Sequence, residues 1–361
     1  MRSVSIIGVG FDNCFTPKSS SEIRSPTHLY AENYSNYNMQ ISKFRLIRAT
    51  QKLPNDASSR EIATAAGYKS HKIINIYFES LEQLKTQAGT LESNKDEVNQ
   101  VFPQIEFSLQ DISRGIQIPL DITPLLAEEI GWHIGDGCIP NNKNGNAIYQ
   151  LGGDPNEERE FYENYIKKTF KALYNYNAKP NFLAKGNLFG ITFASKAIFD
   201  FKTKILGFPI GKKSHIIRIP DAIMFGDDEN KKAVIRGIAD TDFSVTFQKK
   251  HKNFHYYPAI IGSTVSKTLA TQLKSLLIQL GFKPKVQVYF RKRTQHNEYL
   301  IRLMGKNQLE KWFDIIGSNN PKHITKYNVW AKVGFCPPYT KIVQRQKIIE
   351  GHLNPKKFYG G

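Results

Sequence analysis

Two short segments of this chain, 106 residues apart, each place an aspartate directly after a helical stretch. The first is Glu129-Ile-Gly-Trp-His-Ile-Gly-Asp-Gly137, and the second is Ile235-Arg-Gly-Ile-Ala-Asp-Thr-Asp-Phe243. Aligned on their acids, the segments match at three positions: Gly131 with Gly237, Gly135 with Thr241, and Asp136 with Asp242. The small residues lie four apart, so each pair shares one helical face. The chain is thereby constrained to a fold in which two helices pack backbone to backbone and bring their aspartates together.

From residue 121 onward the chain reads as one unit written twice. Helical and strand patterns alternate as helix-strand-strand-helix-strand-strand-helix over residues 121–228, and the same order recurs over 229–336. The first helix of the first unit has Pro124 at a favourable N-terminal position. This order predicts an α+β protein with two saddle-like antiparallel sheets. Residues 337–361 are predicted to be a tail.

The basic charge is concentrated in this repeated part. The formal net charge of the whole chain is +18, but residues 1–120 contribute only +1 and residues 121–361 contribute +17. A surface of this kind suits a polyanion, and double-stranded nucleic acid is the expected partner. No apolar run approaches the roughly 18 residues needed to span a membrane, so no membrane partner is expected.

The paired aspartates suggest a metal site. Carboxylates brought together at an interface are costly unless they share a cation, and Mg²⁺, with Mn²⁺ as the alternative, favours oxygen ligands. A shared metal at Asp136 and Asp242 points to phosphodiester chemistry. The three cysteines show no metal-ligand spacing and are too few for a disulfide framework, which fits a reducing intracellular compartment.

The strands offer candidate nucleic-acid contacts. In a strand covering 286–293, alternate polar side chains would share one face, and a second basic patch follows at 248–252. Arginine and glutamine can read base edges, whereas lysine mainly contacts phosphates. Solvated surface charge is the alternative interpretation for any one of these side chains. The candidates are Gln150, Gln248, Lys249, Lys250, Gln287, Tyr289, Arg291 and Arg293.

The N-terminal third divides into three parts. Residues 1–38 are predicted to be a disordered leader, 39–90 a small helical module, and 91–120 a polar linker. A capping-type start at Ser58 and a glycine stop at Gly67 bound one short helix of the module. From this pattern alone, a DNA-binding helix-turn-helix and a merely structural bundle remain equally open. Arg60-Glu-Ile-Ala63 and the run from Ile74 to Gly89 resemble the homing-endonuclease-associated repeat, an accessory DNA-binding module.

The repeated part resembles the LAGLIDADG homing endonucleases in their single-chain, two-motif form, over roughly residues 121–336. Besides the two motifs, the archaeal-type branch is indicated by five further segments: Leu206–Ser214, Ile219–Asp221, Ile316–His323, Thr325–Tyr327 and Gly334–Pro338. The resemblance implies two pseudo-symmetric LAGLIDADG units and an intron-encoded, mobile-element nuclease. Its expected activity is hydrolysis of both strands of a long asymmetric DNA target. It also implies that the last acid of each motif, Asp136 and Asp242, binds divalent metal.

A lysine near each acid would stabilise the charge that develops on the phosphate. Aligning Leu206 on Ile316 places Lys212 opposite Lys322, and Lys213 is the close competitor in the first repeat. For each of these lysines, an ordinary phosphate contact is an equally good interpretation. Asp240 matches Ile134 and is expected to be a helix-end or supporting residue.

Two departures from the family pattern are the bulky Trp132-His133 and Phe243, which replaces the closing glycine of the motif. The competing hypothesis is a nuclease-inactive relative, such as an intron maturase or a transcription regulator. It needs the same fold and charge but neither acid. Double-stranded DNA is the expected partner of a monomer, with intron RNA left open. The expected location is the cytoplasm, with cellular DNA, and an organelle is not excluded.

Overall fold

The computed structural model describes residues 45–359 except 48, 90–93, 142–144, 146 and 184–186. The predicted leader over residues 1–38 lies outside these residues. Two hydrophobic clusters organise the described chain, one within residues 46–88 and one spanning residues 98–348. In the described ranges, no helix is both long enough and apolar enough to cross a bilayer.

The N-terminal module has its own small core. Its helices after residue 58 are α1 (Ser59–Ala65), α2 (Ile73–Tyr77) and α3 (Leu81–Gly89). Helix α1 begins with a reciprocal cap, in which the side chains of Ser58 and Glu61 each accept a hydrogen bond from the other's backbone amide. Gly67 follows α1 with a φ of 83°, a left-handed conformation that favours glycine. These features fit both a DNA-binding helix-turn-helix and a merely structural bundle, so DNA binding by the module stays a prediction.

The predicted linker is corrected by the structure. Residues 94–120 form α4 (Asn94–Val101) and α5 (Leu109–Ser113). Val98 and Val101 of α4 join the large core cluster, whereas Leu109 and Ile112 of α5 are exposed. Phe102, for example, is buried and its ring packs against Phe201 at a centroid distance of 6.4 Å. Polar residues separate the apolar ones along this segment, which favours the interpretation as a linker, yet most of the apolar residues face the core.

The two repeats have the predicted element order. The first contains α6 (Pro124–Gly135), β1 (Gly137–Cys138), β2 (Ile148–Gly153), α7 (Arg159–Phe161), a π-helical turn (Tyr162–Ile166), α8 (Lys167–Tyr174), β3 (Asn181–Leu183), β4 (Leu188–Ala194), α9 (Lys196–Asp200) and a second π-helical turn (Phe201–Ile205). Helix α10 (Asp221–Met224) lies in the connection. The second contains α11 (Asp228–Asp242), β5 (Phe243–Gln248), β6 (Tyr257–Thr264), α12 (Lys267–Gln279), β7 (Lys285–Arg291), β8 (His296–Met304) and α13 (Lys306–Ile315).

Each repeat builds one four-stranded antiparallel sheet, with strand orders β1-β2-β4-β3 and β5-β6-β8-β7. Burial alternates along β2 and β5, one strand in each sheet: Tyr149 and Leu151 of β2 are buried, whereas Gln150 between them is half-buried on the opposite face. Each sheet therefore has one face on the core and one open face. The α+β fold class predicted from the sequence is confirmed.

The predicted tail is also corrected. After α13 the chain forms α14 (Pro321–Val333), α15 (Ile342–Glu350) and a 3₁₀ turn (Pro355–Tyr359). Arg345 of α15 is buried and donates a hydrogen bond of 2.9 Å to Thr325 of α14 and one of 2.5 Å to Glu157 of the first repeat. The C-terminal segment is thus part of the packed body.

Candidate functional site

Helices α6 and α11 touch through their backbones, as their small residues require. A Cβ added to Gly131 would lie 2.5 Å from the carbonyl oxygen of Val234, and one added to Gly237 would lie 2.1 Å from that of Glu128. Both distances are shorter than any real contact of this kind, so only glycine permits this approach. The same close packing continues to the C-terminal ends of both helices.

The two aspartates meet at those ends. A Cβ on Gly135 would lie 2.0 Å from the Thr241 hydroxyl oxygen and 3.3 Å from the carboxyl carbon of Asp242. Asp136 caps α6 and is half-buried, whereas Asp242 is the last residue of α11 and is exposed. The sequence motifs thus bring two carboxylates to the surface side by side.

The electrostatics reflect this crowding. Burial, and next the charge of Asp242, raise the pKa of Asp136 well above its usual range. Reduced hydration from the surrounding protein raises the pKa of Asp242 to about 6, although its outer side is exposed. The negative charge of Glu158 raises the pKa of both carboxyls, whereas the positive charges of Lys213 and Lys322 lower it. Positive charge placed between the aspartates would relieve this repulsion.

Lys213 and Lys322 reach the site, whereas Lys212 is exposed and, among the described residues, forms no hydrogen bond or ion pair with it. The ammonium of Lys213 donates to three carbonyl oxygens at the end of α6, with a distance of 2.8 Å to that of Ile134. The ammonium of Lys322 donates to Glu158 at 2.6 Å. The sequence alignment that paired Lys212 with Lys322 therefore does not describe the site, and Lys213 is the lysine of the first repeat that approaches the acids.

The lysines cross between the repeats. Lys322, from the second repeat, lowers the pKa of Asp136 more than Lys213 does. For Asp242 the order is reversed, and Lys213 has the larger effect. Each motif acid is therefore closer in electrostatic terms to the lysine of the other repeat.

Sequence reasoning missed Glu158, the third carboxylate of the site. This residue is 4% exposed and precedes α7, at the end of an Asp-Pro-Asn-Glu-Glu run that reads only as a turn and helix start. Its side chain accepts hydrogen bonds from Asn320 at 2.9 Å and from Lys322 at 2.6 Å. No local sequence pattern predicts these contacts, because both partners lie more than 160 residues away along the chain.

Asp240 has the supporting position expected for it. Its carboxylate accepts hydrogen bonds from the Ser318 hydroxyl and, at 2.8 Å, from the Asn319 amide. Burial raises its pKa to about 7, although both hydrogen bonds favour the charged form. Asp240 therefore fastens the segment that carries Lys322 to the end of α11.

The departures at Phe243, Trp132 and His133 do not obstruct the acids. Phe243 is buried on the core face of β5, and a Cβ on its cross-strand partner Gly262 would lie 2.1 Å from its ring. Gly262 thus provides the space that Phe243 fills. Trp132 and His133 are fully buried in the first repeat, where Trp132 packs edge-on against Phe161 at a centroid distance of 5.7 Å.

The candidate nucleic-acid contacts lie on open faces or turns. Gln150, Gln248, Gln287, Tyr289 and Arg291 lie on strands, each on the face opposite the core. Arg291 also forms an ion pair with Glu298 on β8. Nucleic-acid contact by these side chains remains a prediction.

Three further candidates lie in turns. Strand β7 ends at Arg291, so Arg293 lies in the turn. The prediction that Arg293 continues the strand face is therefore wrong. Lys249 and Lys250 follow β5, and the Lys250 ammonium lies 3.1 Å from the centroid of the Tyr257 ring. Ring faces attract ammonium groups, which places this lysine beside the open face of β6.

The donor set fits a divalent cation that is completed by substrate. Within the described ranges, no group of three or more His, Cys, Asp and Glu side chains could hold a metal ion. Mg²⁺ commonly uses one or two carboxylates together with water and substrate phosphate oxygens. Asp136 and Asp242 supply such a pair, and their mutual repulsion is the kind that a cation relieves.

Comparison with known proteins identifies a domain in the second half of the chain. Residues 229–317 match the family model described as a LAGLIDADG-like domain, so the chain contains such a domain in its second half. The resemblance seen in the sequence is confirmed there, while the N-terminal repeat and the archaeal-type branch remain predictions.

Similar solved structures include I-DmoI in complex with DNA and Mn, with 14% identity over 54% of this chain and 96% of that one, at a TM-score of 0.38. The homing endonuclease I-WcaI bound to its DNA recognition sequence is another, with 15% identity over 55% of this chain and 82% of that one, at a TM-score of 0.35. The curated proteins gave no significant match.

Proposed function

We propose that this protein is a site-specific homing endonuclease that hydrolyses both strands of duplex DNA with the help of divalent metal. The observation that carries the proposal is the placement of Asp136 and Asp242 side by side at the ends of two tightly packed helices, with a lysine near each. A LAGLIDADG-like domain over residues 229–317 supports it. An intron-encoded, mobile origin belongs to the same proposal, as does action in the compartment that holds the target DNA.

Asp136 and Asp242 would hold the cation, Mg²⁺ or Mn²⁺. When bound, such a cation stabilises negative charge on a scissile phosphate. Lys322 and Lys213 supply fixed positive charge on either side of the acids, where it opposes charge that develops on the phosphate during hydrolysis. The ion pair with Glu158 and the bonds to the end of α6 hold these ammonium groups in place before DNA arrives.

The open faces of the two sheets would bind the DNA. The excess positive charge of residues 121–361 supplies affinity for phosphates. Gln150 and Gln287, on the open faces of different sheets, are proposed to read base edges. Binding by one monomer fits a long asymmetric target, since the two repeats carry different side chains. The N-terminal module is proposed as an accessory DNA contact.

One observation favours a second candidate, a nuclease-inactive nucleic-acid binder such as a maturase or regulator. Both lysines nearest the acids already have protein partners, and such contacts can be purely structural. Under this hypothesis the charge and the open sheet faces suffice, and intron RNA becomes a possible ligand. Cleavage is the better proposal because an inactive binder has no need to retain two crowded carboxylates.

A plasmid assay distinguishes the two. The substrates are supercoiled plasmids that carry the uninterrupted host locus and a library of randomised inserts, incubated with Mg²⁺ or with EDTA. Asp136→Asn and Asp242→Asn are compared with Asp228→Asn, which changes an exposed acid at the opposite end of α11. Linearisation that needs metal and is lost only in the first two variants supports the endonuclease. Tight, salt-sensitive binding without any cutting supports the inactive binder.

A further inference from the structure

Glu158 joins the two repeats beside the site. One carboxylate oxygen accepts hydrogen bonds from Asn320 and Lys322, which belong to the second repeat. The other oxygen accepts a hydrogen bond of 2.7 Å from the Asp154 amide in its own turn. Hydrogen bonds between charged partners in a buried position are strong and directional, so Lys322 has a defined place.

The surroundings of Glu158 are shaped to receive this carboxylate. A Cβ on Gly153 would lie 2.1 Å from its Oε2 atom, so the last residue of β2 leaves space that any other side chain would fill. Asn320, which shares the carboxylate with Lys322, also donates to the carbonyl oxygen of Asp240 at 2.8 Å. The carboxylate, the amide and the ammonium thus form one connected network at the end of α11.

The other repeat has no such carboxylate. In the second repeat, Ser266 occupies the same position before α12, the helix after the second strand, and its hydroxyl donates to the carbonyl oxygen of Ile217 at 2.7 Å. Lys213 of the first repeat donates to backbone carbonyl oxygens at the end of α6, whereas Lys322 donates to a buried carboxylate. The two halves of the site therefore hold their lysines by different means.

We propose that Glu158 is a positioning residue that holds Lys322 at the paired aspartates, so that cleavage of one DNA strand depends on Glu158 and cleavage of the other does not. This inference rests on the proposed endonuclease function and specifies which contact orients one half of the site. Glu158 acts through Lys322 and does not itself bind the substrate.

The chain provides a matched control. Glu157 is the adjacent acid at the same helix start, but its carboxylate pairs with Arg345 of α15 at 2.5 Å and makes no recorded bond to Lys322. Glu158→Gln and Glu157→Gln remove the same charge from neighbouring positions, so their difference isolates the contact with Lys322. Thermal unfolding of both variants is measured first to show that they fold.

The first measurement needs no substrate. Pulsed reductive methylation followed by peptide mass spectrometry gives a modification rate for each lysine. Loss of a charge-assisted hydrogen bond should raise the rate at Lys322 by about tenfold in Glu158→Gln. The rate at Lys213 in that variant, and the rate at Lys322 in Glu157→Gln, should stay within about twofold, since neither loses such a bond. An unchanged Lys322 rate in Glu158→Gln would overturn the proposal, whether or not the protein cuts DNA.

The second measurement resolves the strands. With end-labelled target DNA, Glu158→Gln and Lys322→Met should slow cutting of the same strand by about tenfold or more, as expected for loss of one positioned charge. Nicked DNA should then accumulate. Equal slowing of both strands, or the same effect in Glu157→Gln, would show a merely structural role and overturn the proposal.

If Glu158→Gln does not fold, Lys322→Met alone decides, because equal slowing of both strands also overturns it. If the unmutated protein does not cut, the endonuclease function fails and the methylation rates alone decide the positioning role.

Discussion

A fully buried ion pair in the first repeat allows a quantitative test of the packing. Glu129 of α6 and Lys202 of the second π-helical turn are each 0% exposed, and the Lys202 ammonium lies 2.6 Å and 2.9 Å from the two carboxylate oxygens. The hydroxyls of Tyr174 and Tyr149 donate to the same carboxylate at 3.0 Å and 3.4 Å. Burial lowers the pKa of Lys202, as expected for an ammonium removed from water.

Removal of one partner should be costly. Lys202→Met leaves the Glu129 carboxylate buried with only the two hydroxyls, and breaking a buried pair in this way costs about 3–5 kcal/mol. We expect about 3 kcal/mol for this variant, because hydrogen bonds to a charged group retain part of the stabilisation. Glu129→Leu should cost about 5 kcal/mol, since the ammonium then keeps only aromatic ring faces as neighbours.

Replacement of the whole cluster should be nearly neutral. In the second repeat, the positions aligned with Glu129 and Lys202 hold apolar residues, the buried Ile235 and Trp312. A quadruple variant with Glu129→Leu, Lys202→Met, Tyr149→Phe and Tyr174→Phe leaves no polar group without a partner. Its free energy of unfolding should lie within about 2 kcal/mol of that of the unmutated protein.

The assay is urea unfolding at neutral pH, followed by fluorescence and circular dichroism. Lys204→Met is the matched control: Lys204 lies in the same π-helical turn and pairs with Asp200 at 3.1 Å, but its side chain is 37% exposed. Its loss should cost less than about 1 kcal/mol. A cost below about 1 kcal/mol for Lys202→Met, or a quadruple variant as unstable as the single ones, would refute this reasoning.

Three further predictions concern the site and its supports. Gly237→Ala should destabilise the protein by about 3 kcal/mol or more, because its Cβ would lie 2.1 Å from a backbone oxygen. Gly152→Ala, whose Cβ would meet nothing closer than 3.5 Å, should cost less than about 1 kcal/mol in the same urea assay, and equal costs would contradict the helix contact. Affinity for Mn²⁺, measured calorimetrically, should fall as the pH drops below the Asp242 pKa of about 6, because the protonated carboxyl cannot bind metal; a flat profile from pH 7 to 5 would exclude Asp242 as a ligand. Arg293→Ala should reduce the slope of log affinity against log salt by about one in DNA-binding anisotropy, and an unchanged slope would remove Arg293 from the phosphate contacts.

The parts of this protein that follow local rules could be predicted from its sequence. The spacing of Gly131 and Gly237 relative to their aspartates depends on helical periodicity, which holds in any surroundings. The repeated order of helices and strands follows from the same periodicities, and it fixed the expected sheet topology. The same periodicity predicts that Asp136 and Asp242 lie at matching ends of two packed helices, which is where the structure places them.

The failures have a different physical origin. Glu158 lies in a turn that looks ordinary, and its importance comes from partners contributed by a distant segment. Residues 94–120 and 337–359 look like a linker and a tail in the sequence because tertiary packing, which composition does not reveal, decides that many of their apolar side chains are buried. Lys212 was aligned with Lys322 by sequence position, yet Lys213 reaches the acids, because a turn decides which adjacent side chain points inward.

The residue that follows the motif acid differs in size between the two repeats. Where the first repeat has Gly137 after its acid, the second has Phe243, and the cross-strand partners compensate: Leu151 faces Gly137 and Gly262 faces Phe243. Phe243 needs the small residue opposite it, since a Cβ on Gly262 would lie 2.1 Å from the Phe243 ring. Gly137 is small for another reason, because a Cβ there would lie 2.5 Å from the Cα of His133. The pairing of Phe243 with Gly262 accommodates a large side chain next to the second acid without displacing that acid, because the small partner leaves the volume that the ring fills. The same freedom allows the surroundings of the two acids to differ, so near-symmetry of the backbone coexists with a chemically asymmetric site.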